Sequence, residues 1–366
     1  MPLTVVIAPD SFKGSLPATG VAEAIADGWR RVRPNDHLIL LPQADGGEGT
    51  LDAVAASVPG ALRRDAGMVT GPDGRPTPGE WLELPDGVAV VELAQCSGLP
   101  LMGEPDALHA TTRGLGEVIR AALESGATSL VIALGGSAST DAAAGALAAL
   151  GLEMLDEQSE LVADGGRALA DIIDIRRDGM LAPPPGGVTL LTDVTAPLLG
   201  PLGAAVVFGP QKGADAKQIV ELDAALAHFA ELIGGDPDAA GAGAAGGAGY
   251  GFAAVWGATI TPGADYLAAL TGLPAAIAGA DVLLTGEGRF DSQSLTGKVV
   301  GQILDTASMS QVTVGVIAGQ VTAETGVWRA SLADLAGSVE AAIADPARWL
   351  RDAGEAAARD LSGNAD

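Results

Sequence analysis

Cysteine occurs once in the 366 residues, at Cys96. No disulfide framework can form within the chain, and a reducing, cytoplasmic setting is expected. No histidine lies near Cys96 in sequence, so it reads as a buried core thiol. Histidine itself is scarce. His37, His109 and His228 are scattered, which argues against a His-based metal site or triad. Aromatic residues make up 3%, so the cores must be built from Val, Leu, Ile and Ala. Positive charge is also sparse: 20 Lys+Arg stand against 46 Asp+Glu, a formal net charge of −26. A nucleic-acid binder needs clustered cations on one face, and so does a protein docking on anionic lipid; neither is expected here. Met1-Pro2-Leu3-Thr4 lacks the basic start of a secretory leader, so none is expected. The one long uncharged run, residues 239–264, is mostly Gly and Ala and is interrupted by Pro262, so no membrane span is expected.

Several familiar motifs are missing too. Gly297-Lys298 is followed by Val299 and has no Gly five residues before Gly297, so it is not a Walker A loop. There is no G-x-S-x-G elbow. Gly241–Gly246 matches G-x-G-x-x-G but follows Gly234-Gly235-Asp236-Pro237 rather than a strand, so it reads as a compositional coincidence.

What the chain does have is glycine, 52 residues, about twice the usual ~7%, placed largely after apolar runs. Five such runs, Thr4–Ala8, Leu38–Leu41, Ser129–Leu134, Asp281–Thr285 and Val312–Ile317, read as strands buried on both faces. Helical periodicity follows most of them. Leu16–Val32 carries Val21, Ile25 and Trp29 on one face, with Ser15 as the expected N-cap. Arg113–Glu124 carries Leu115, Val118, Ile119 and Ala122, preceded by Thr112 and closed by Gly126. Alternating strands and helices imply a parallel sheet. Val88–Leu93, Val188–Leu191 and Ala205–Phe208 read as further strands outside this rhythm, so a second α/β domain is expected to be inserted into the first. An Ala-rich C-terminal helix, about Ser331–Leu361, is expected to pack on the first domain.

In an open parallel sheet, ligands bind beyond the carboxyl ends of the strands. Four loops expected at that edge combine glycine with hydroxyl and carboxylate groups: Pro9–Ser15, Ala44–Thr50, Gly135–Asp141 and Thr285–Asp291, the last continuing to Lys298. Each leads into a helix start, where free N–H groups favour anions. Lys13, Arg289 and Lys298 supply positive charge, and Asp10, Asp45, Glu48 and Asp141 could hold Mg²⁺. Three of the four lysines, Lys13, Lys212 and Lys298, adjoin a glycine. The competing reading is that these are ordinary turns in a glycine-rich chain.

At these loops the chain resembles the type I glycerate kinase family. The resemblance is carried by Pro9-Asp10-Ser11-Phe12-Lys13-Gly14-Ser15, Ala44-Asp45-Gly46-Gly47-Glu48-Gly49-Thr50, Gly135-Gly136-Ser137, Thr192-Asp193-Val194, Val207–Gly213, Gly241–Gly247 and Thr285–Lys298. It spans residues 5 to about 300 in the family's order. It implies a flavodoxin-like parallel-sheet domain, assigned to 1–61, 110–185 and 279–366, and a second, inserted, smaller α/β domain, 62–109 and 186–278, that closes the cleft. It also implies transfer of the ATP γ-phosphoryl group to D-glycerate with the 2-phosphoglycerate product. On this reading Ser11, Lys13, Ser15, Asp45, Gly46, Gly47 and Glu48 take the substrate. Gly135, Gly136, Ser137, Ser139, Asp141, Gly286, Glu287, Gly288, Arg289, Asp291 and Lys298 take the nucleotide. Asp45, Glu48 and Asp193 hold Mg²⁺. Asp193, with Lys13 and Asp45, is catalytic, Asp193 orienting or deprotonating the attacking hydroxyl; its competing role is a turn or helix cap. Lys212 either closes over the site or lies on the surface. A homodimer is compatible with this reading.

Three departures from the family pattern stand out. Ala196 replaces a usual Asn, Asp141 is followed by Ala142-Ala143-Ala144 where glycines are common, and the segment after about residue 320 is shorter and more divergent. Two other readings stay open: a kinase for another small hydroxy acid, and a nucleotide-responsive binding protein without turnover.

Overall fold

The structure is a computed structural model and describes residues 1–294 and 299–364. The chain divides into two compact units, Met1–Asp45 with Asp52–Pro59 and Ala264–Asp366, and Gly46–Leu51 with Gly60–Gly263.

The first unit contains a five-stranded, all-parallel sheet. Its strands in chain order are Thr4–Ile7, His37–Leu40, Val282–Thr285, Thr313–Ala318 and Trp328–Ser331. Their spatial order is 2-1-3-4-5, the flavodoxin-like arrangement. Successive side chains of a strand point to opposite faces, and the cores divide accordingly. Val5, Ile7, Val282 and Leu284 join one core with Val21, Ile25, Trp29 and Leu350. Val6, Ala8 and Leu283 join another with Leu273, Ile277, Val299 and Ile303. Helices Ala18–Val32 and Pro346–Leu361 therefore cover one face, and Leu273–Ala278 and Val299–Ser308 the other. Burial on both faces explains why the central strands Thr4–Ile7 and Val282–Thr285 are nearly continuously apolar rather than alternating.

The second unit has a six-stranded mixed sheet, in the order Thr259–Thr261, Val188–Leu191, Ser129–Ala133, Val88–Glu92, Pro76–Glu83, Leu62–Thr70. The first four are parallel, and the last two extend the sheet as an antiparallel hairpin.

The mixed α/β class and the insertion agree with expectation, but four details differ. The strand Ser129–Ala133 pairs with Val88–Glu92 and Val188–Leu191, not with Thr4–Ile7, so residues 110–185 fall in the inserted unit. The inserted unit thus takes the longer share of the chain and is not the smaller one. Both sheets contain parallel apolar strands, and apolarity carries no label saying which sheet a strand joins. Ala205–Phe208, expected as a strand, lies in the helix Ala204–Phe208, where Ala204 and Ala205 are buried while Val206 and Val207 face outward. The C-terminal helix is three helices, Leu332–Ala336, Val339–Ala344 and Pro346–Leu361, separated by left-handed Gly337 and by Asp345-Pro346. Ser15 does not cap its helix: the cap position is Pro17, with no side-chain bond.

Among the described residues, no helix is long and apolar enough to cross a membrane.

Candidate functional site

In a 2-1-3-4-5 sheet the chain leaves strands 1 and 3 in opposite directions, and a crevice opens beyond their carboxyl ends. A cleft of about 380 Å³ lies there, lined by Asp10, Ser11, Lys13 and Ser15 after the first strand and by Asp45 after the second. The loop after the third strand adds Glu287, Gly288, Arg289 and Asp291.

Local packing sets each loop. Phe12 is buried in the core and bonds back to Leu16 through its N–H at 2.9 Å. This closes a turn with left-handed Gly14 at its tip, leaving Lys13 73% exposed. The Asp10 N–H donates to the Gly286 carbonyl at 2.8 Å, and the Thr285 hydroxyl donates to the Ala8 carbonyl at 2.8 Å, so the first and third loops are stitched together. Gly286 must be glycine: a Cβ there would lie 1.7 Å from the Ile317 carbonyl oxygen. Buried Gln43 donates to the Leu41 carbonyl and to the Thr271 hydroxyl, shaping the approach to Asp45.

The electrostatics are dominated by like charge. Asp10 is pushed up to about 7, first by burial and then by the neighbouring Asp45 carboxylate, against the Ser11 N–H and Lys13, which pull it down; Glu287 adds to the upward push. Lys13 pairs with Asp45 at 3.8 Å, and Arg289 with Asp291 at 3.5 Å. The described lining therefore carries four carboxylates (Asp10, Asp45, Glu287, Asp291) against two cations (Lys13, Arg289).

The remaining expected residues lie in the inserted unit. The chain passes from one unit to the other at Asp45–Gly46. Gly46 accepts a hydrogen bond from the Gly135 N–H at 2.8 Å. Glu48 is exposed, while the loop around it is pinned by Glu92, whose carboxylate accepts from the Gly49 and Leu51 N–H groups. Gly136 is exposed, and Ser137 and Ser139 are buried and share a hydrogen bond at 3.2 Å. Asp141 is fully buried. Its Oδ2 accepts from the Thr112 N–H, the Thr112 hydroxyl and the Gly145 N–H at 2.9, 2.8 and 3.2 Å. Oδ2 is thus taken up inside the unit, while the buried Oδ1 has no hydrogen-bond partner among the described residues. Lys212 is also buried, donating to the Ser139 carbonyl and pushed down to about 8 by burial, so a surface role does not hold. Asp193 is exposed and accepts from the Gly263 N–H at 2.8 Å, at the start of the helix Gly263–Leu270. Lys298 lies outside the described residues. Cys96 is buried, its thiol pushed up to about 12, as a core cysteine should be.

Two alanines account for one departure noted above. Ala142 and Ala143 adopt left-handed backbone angles, φ 49° and 62°, immediately before the helix Ala144–Ala149. Glycine meets that requirement without strain. The segment Gly241–Gly251 packs over them: a Cβ on Gly246 would lie 2.1 Å from the Ser139 carbonyl oxygen. Its glycines therefore serve close backbone packing inside this unit.

Sequence reasoning gave Asp10 only a possible metal role and overlooked Glu92. An acid closing the otherwise apolar strand Val88–Glu92 was the available signal for Glu92.

Among the described residues, no three His, Cys, Asp or Glu side chains gather into a metal-binding cluster. Mg²⁺ that arrives on phosphates needs only one or two protein carboxylates, and the acidic lining of the cleft fits that mode.

A doubly wound parallel sheet with a charged cleft at its switch point defines a class of α/β proteins that bind small ligands at that crevice. Comparison with known proteins narrows this class. The model of the Glycerate kinase family matches residues 5–362, and the chain belongs to that family. The match runs through the divergent C-terminal segment. The chain is 42% identical to the glycerate 2-kinase of Escherichia coli (strain K12), over 89% of this chain and 87% of that protein. It is 39% identical to the glycerate kinase of Bacillus subtilis (strain 168), over 88% and 86%. A crystal structure described as glycerate kinase 2 from Salmonella typhimurium LT2 superimposes with a TM-score of 0.84 at 35% identity, covering 100% of this chain and 99% of that one.

Proposed function

We propose that the protein transfers the γ-phosphoryl group of ATP to D-glycerate, forming 2-phospho-D-glycerate. Family membership carries this reading, and the cleft at the carboxyl edge of the five-stranded sheet supports it. Phosphoryl transfer is chiefly positioning and charge stabilisation. Lys13, Ser11 and Ser15 bind the glycerate carboxylate and a hydroxyl, and Asp45, Gly46, Gly47 and Glu48 complete that contact. The Gly286–Asp291 loop and the Gly135–Ser139 loop take donor phosphates, with Lys298. Asp193 accepts the proton of the attacking hydroxyl. Asp45, with Glu48 and Asp193, holds Mg²⁺, which when bound neutralises phosphate charge. Buried Asp141 supports the Ser137–Ser139 loop rather than touching nucleotide.

The single cysteine supports a cytoplasmic setting, and the −26 charge supports small-molecule rather than nucleic-acid partners. Light scattering would decide whether a homodimer forms.

The test is ADP release coupled to D-glycerate, with phosphorus NMR of the product. Glycerate-dependent ADP and a 2-phosphoglycerate resonance are expected; a 3-phosphoglycerate resonance would refute the regiochemistry. Asp193→Asn should keep ADP affinity and lose kcat by ~10²-fold or more, the scale of general-base loss. A near-normal kcat removes Asp193 from the base role.

A further inference from the structure

The cleft that holds Asp10 and Lys13 has a second wall of opposite chemistry. Val339 and Ile343 are spaced i, i+4 on the helix Val339–Ala344 and so share one face. Both line the cleft, with Ala342 and Pro346 beside them and Leu332 below. Ile343 is 59% exposed, while Ala342 and Leu332 are buried. A single exposed isoleucine is ordinary. Five apolar side chains facing a concavity whose opposite wall bears Asp10, Lys13 and Arg289 are not, because such a mixed pocket is the usual form of a small-molecule site.

A molecule that fills both halves must have a flat apolar end and a multiply charged end. Glycerate, three carbons bearing a carboxylate and two hydroxyls, has no apolar face to offer. We propose that this wall receives the nucleoside of the phosphoryl donor. The purine base lies on Val339, Ala342 and Ile343, and the phosphates extend toward Gly288, Arg289 and Val299, the first residue of the helix Val299–Ser308. That helix start favours anions. The volume of about 380 Å³ falls within the ~300–1,000 Å³ of small-ligand sites. The excess of carboxylates in the lining means the phosphate end enters as a metal complex. The five apolar side chains offer no hydrogen-bonding group to the base edges, so the wall grips by area. Discrimination among purine triphosphates is therefore weak, since strong rejection needs polar groups left unpaired by the wrong ligand.

This inference rests on the phosphoryl-donor reading above, and the experiment separates the two. KM for ATP and for D-glycerate is measured in Ile343→Asp and Val339→Asp, with Val220→Asp, at an exposed position on the helix Ala216–Ile233, as the control, and Mg²⁺-ADP binding followed by calorimetry. Both aspartate variants should raise the ATP KM ~10-fold or more, the loss expected for placing a charge against a buried ring face. ADP affinity should weaken in parallel, the glycerate KM should stay within about twofold, and Val220→Asp should match the parent. ATP and GTP should differ in KM by less than about tenfold. Unchanged ATP KM and ADP affinity in both aspartate variants would overturn the inference, as would a raised glycerate KM with ATP unaffected. Absence of glycerate-dependent ADP from the parent protein would instead refute the functional reading, and the ADP calorimetry would still decide the wall. Ile343 is exposed, so its substitution leaves the fold intact, and matching thermal midpoints verify this.

Discussion

Asp10 and Asp141 sit in loops that look alike in sequence. Each follows an apolar parallel strand, each has serine and glycine nearby, and each loop leads to a helix. Their fates are opposite. Asp10 lines an open cleft beside Asp45 and Glu287, and burial with like charge pushes it up to about 7. Asp141 is sealed inside its unit, where burial also pushes its carboxyl up but hydrogen bonds from Thr112 and Gly145 pull it down. The difference comes from what covers each loop. At Asp10 the sheet reverses its winding and a crevice opens at the switch point. Over Asp141 the backbone of Gly246–Gly251 closes down, and the left-handed Ala142 and Ala143 turn the chain beneath it. One loop leaves its carboxylate at a cleft, and the other buries it within its unit.

The sharpest way to break this contrast is Asp141→Ala. Removing a buried carboxylate that accepts three hydrogen bonds should cost ~3 kcal/mol in urea unfolding; a loss below 1 kcal/mol would show that Asp141 is not a structural anchor. Gly246→Ala should cost ~2 kcal/mol or more, because its Cβ meets the Ser139 carbonyl at 2.1 Å and its φ is +66°. Wild-type stability there would contradict the close packing of the glycine segment. Ala142→Gly with Ala143→Gly works in the other direction, relieving two left-handed alanines for ~1–2 kcal/mol of added stability; a loss would mean the strain is absent.

The remaining test is a pH slope at Asp10. Its folded value is near 7 and its unfolded value near 3.8, so between those pH values the native state binds more protons. Stability from this group therefore falls as pH rises from about 4 to about 7. The difference in unfolding energy between Asp10→Asn and the parent should grow in the variant's favour across that window. A flat difference would place Asp10 at an ordinary carboxylate value.

Seven strands of the two sheets were legible in the sequence because a strand buried on both faces must be a continuous apolar run, and the helices Ala18–Val32 and Arg113–Glu124 because their apolar period matches 3.6; the hairpin Leu62–Thr70 with Pro76–Glu83 and the edge strands Thr259–Thr261 and Trp328–Ser331 are partly exposed and carry no such run, so they were not. The charged loops were legible for the same reason, as glycine and carboxylates stand out after such runs. Sheet membership was not. Ser129–Ala133 and Val282–Thr285 are equally apolar, and only their hydrogen-bond partners separate them into two units.

The chemistry of the individual acids was likewise a matter for tertiary structure. Composition and local pattern determined an aliphatic, parallel α/β chain with anion-friendly loops, since those properties follow from residue type and period alone. Which aspartate meets solvent and which is entombed, and that Val339 and Ile343 from the last hundred residues share a cleft with Lys13 from the first twenty, depend on contacts between distant segments. Such contacts arise from the whole chain's packing, which no local stretch encodes.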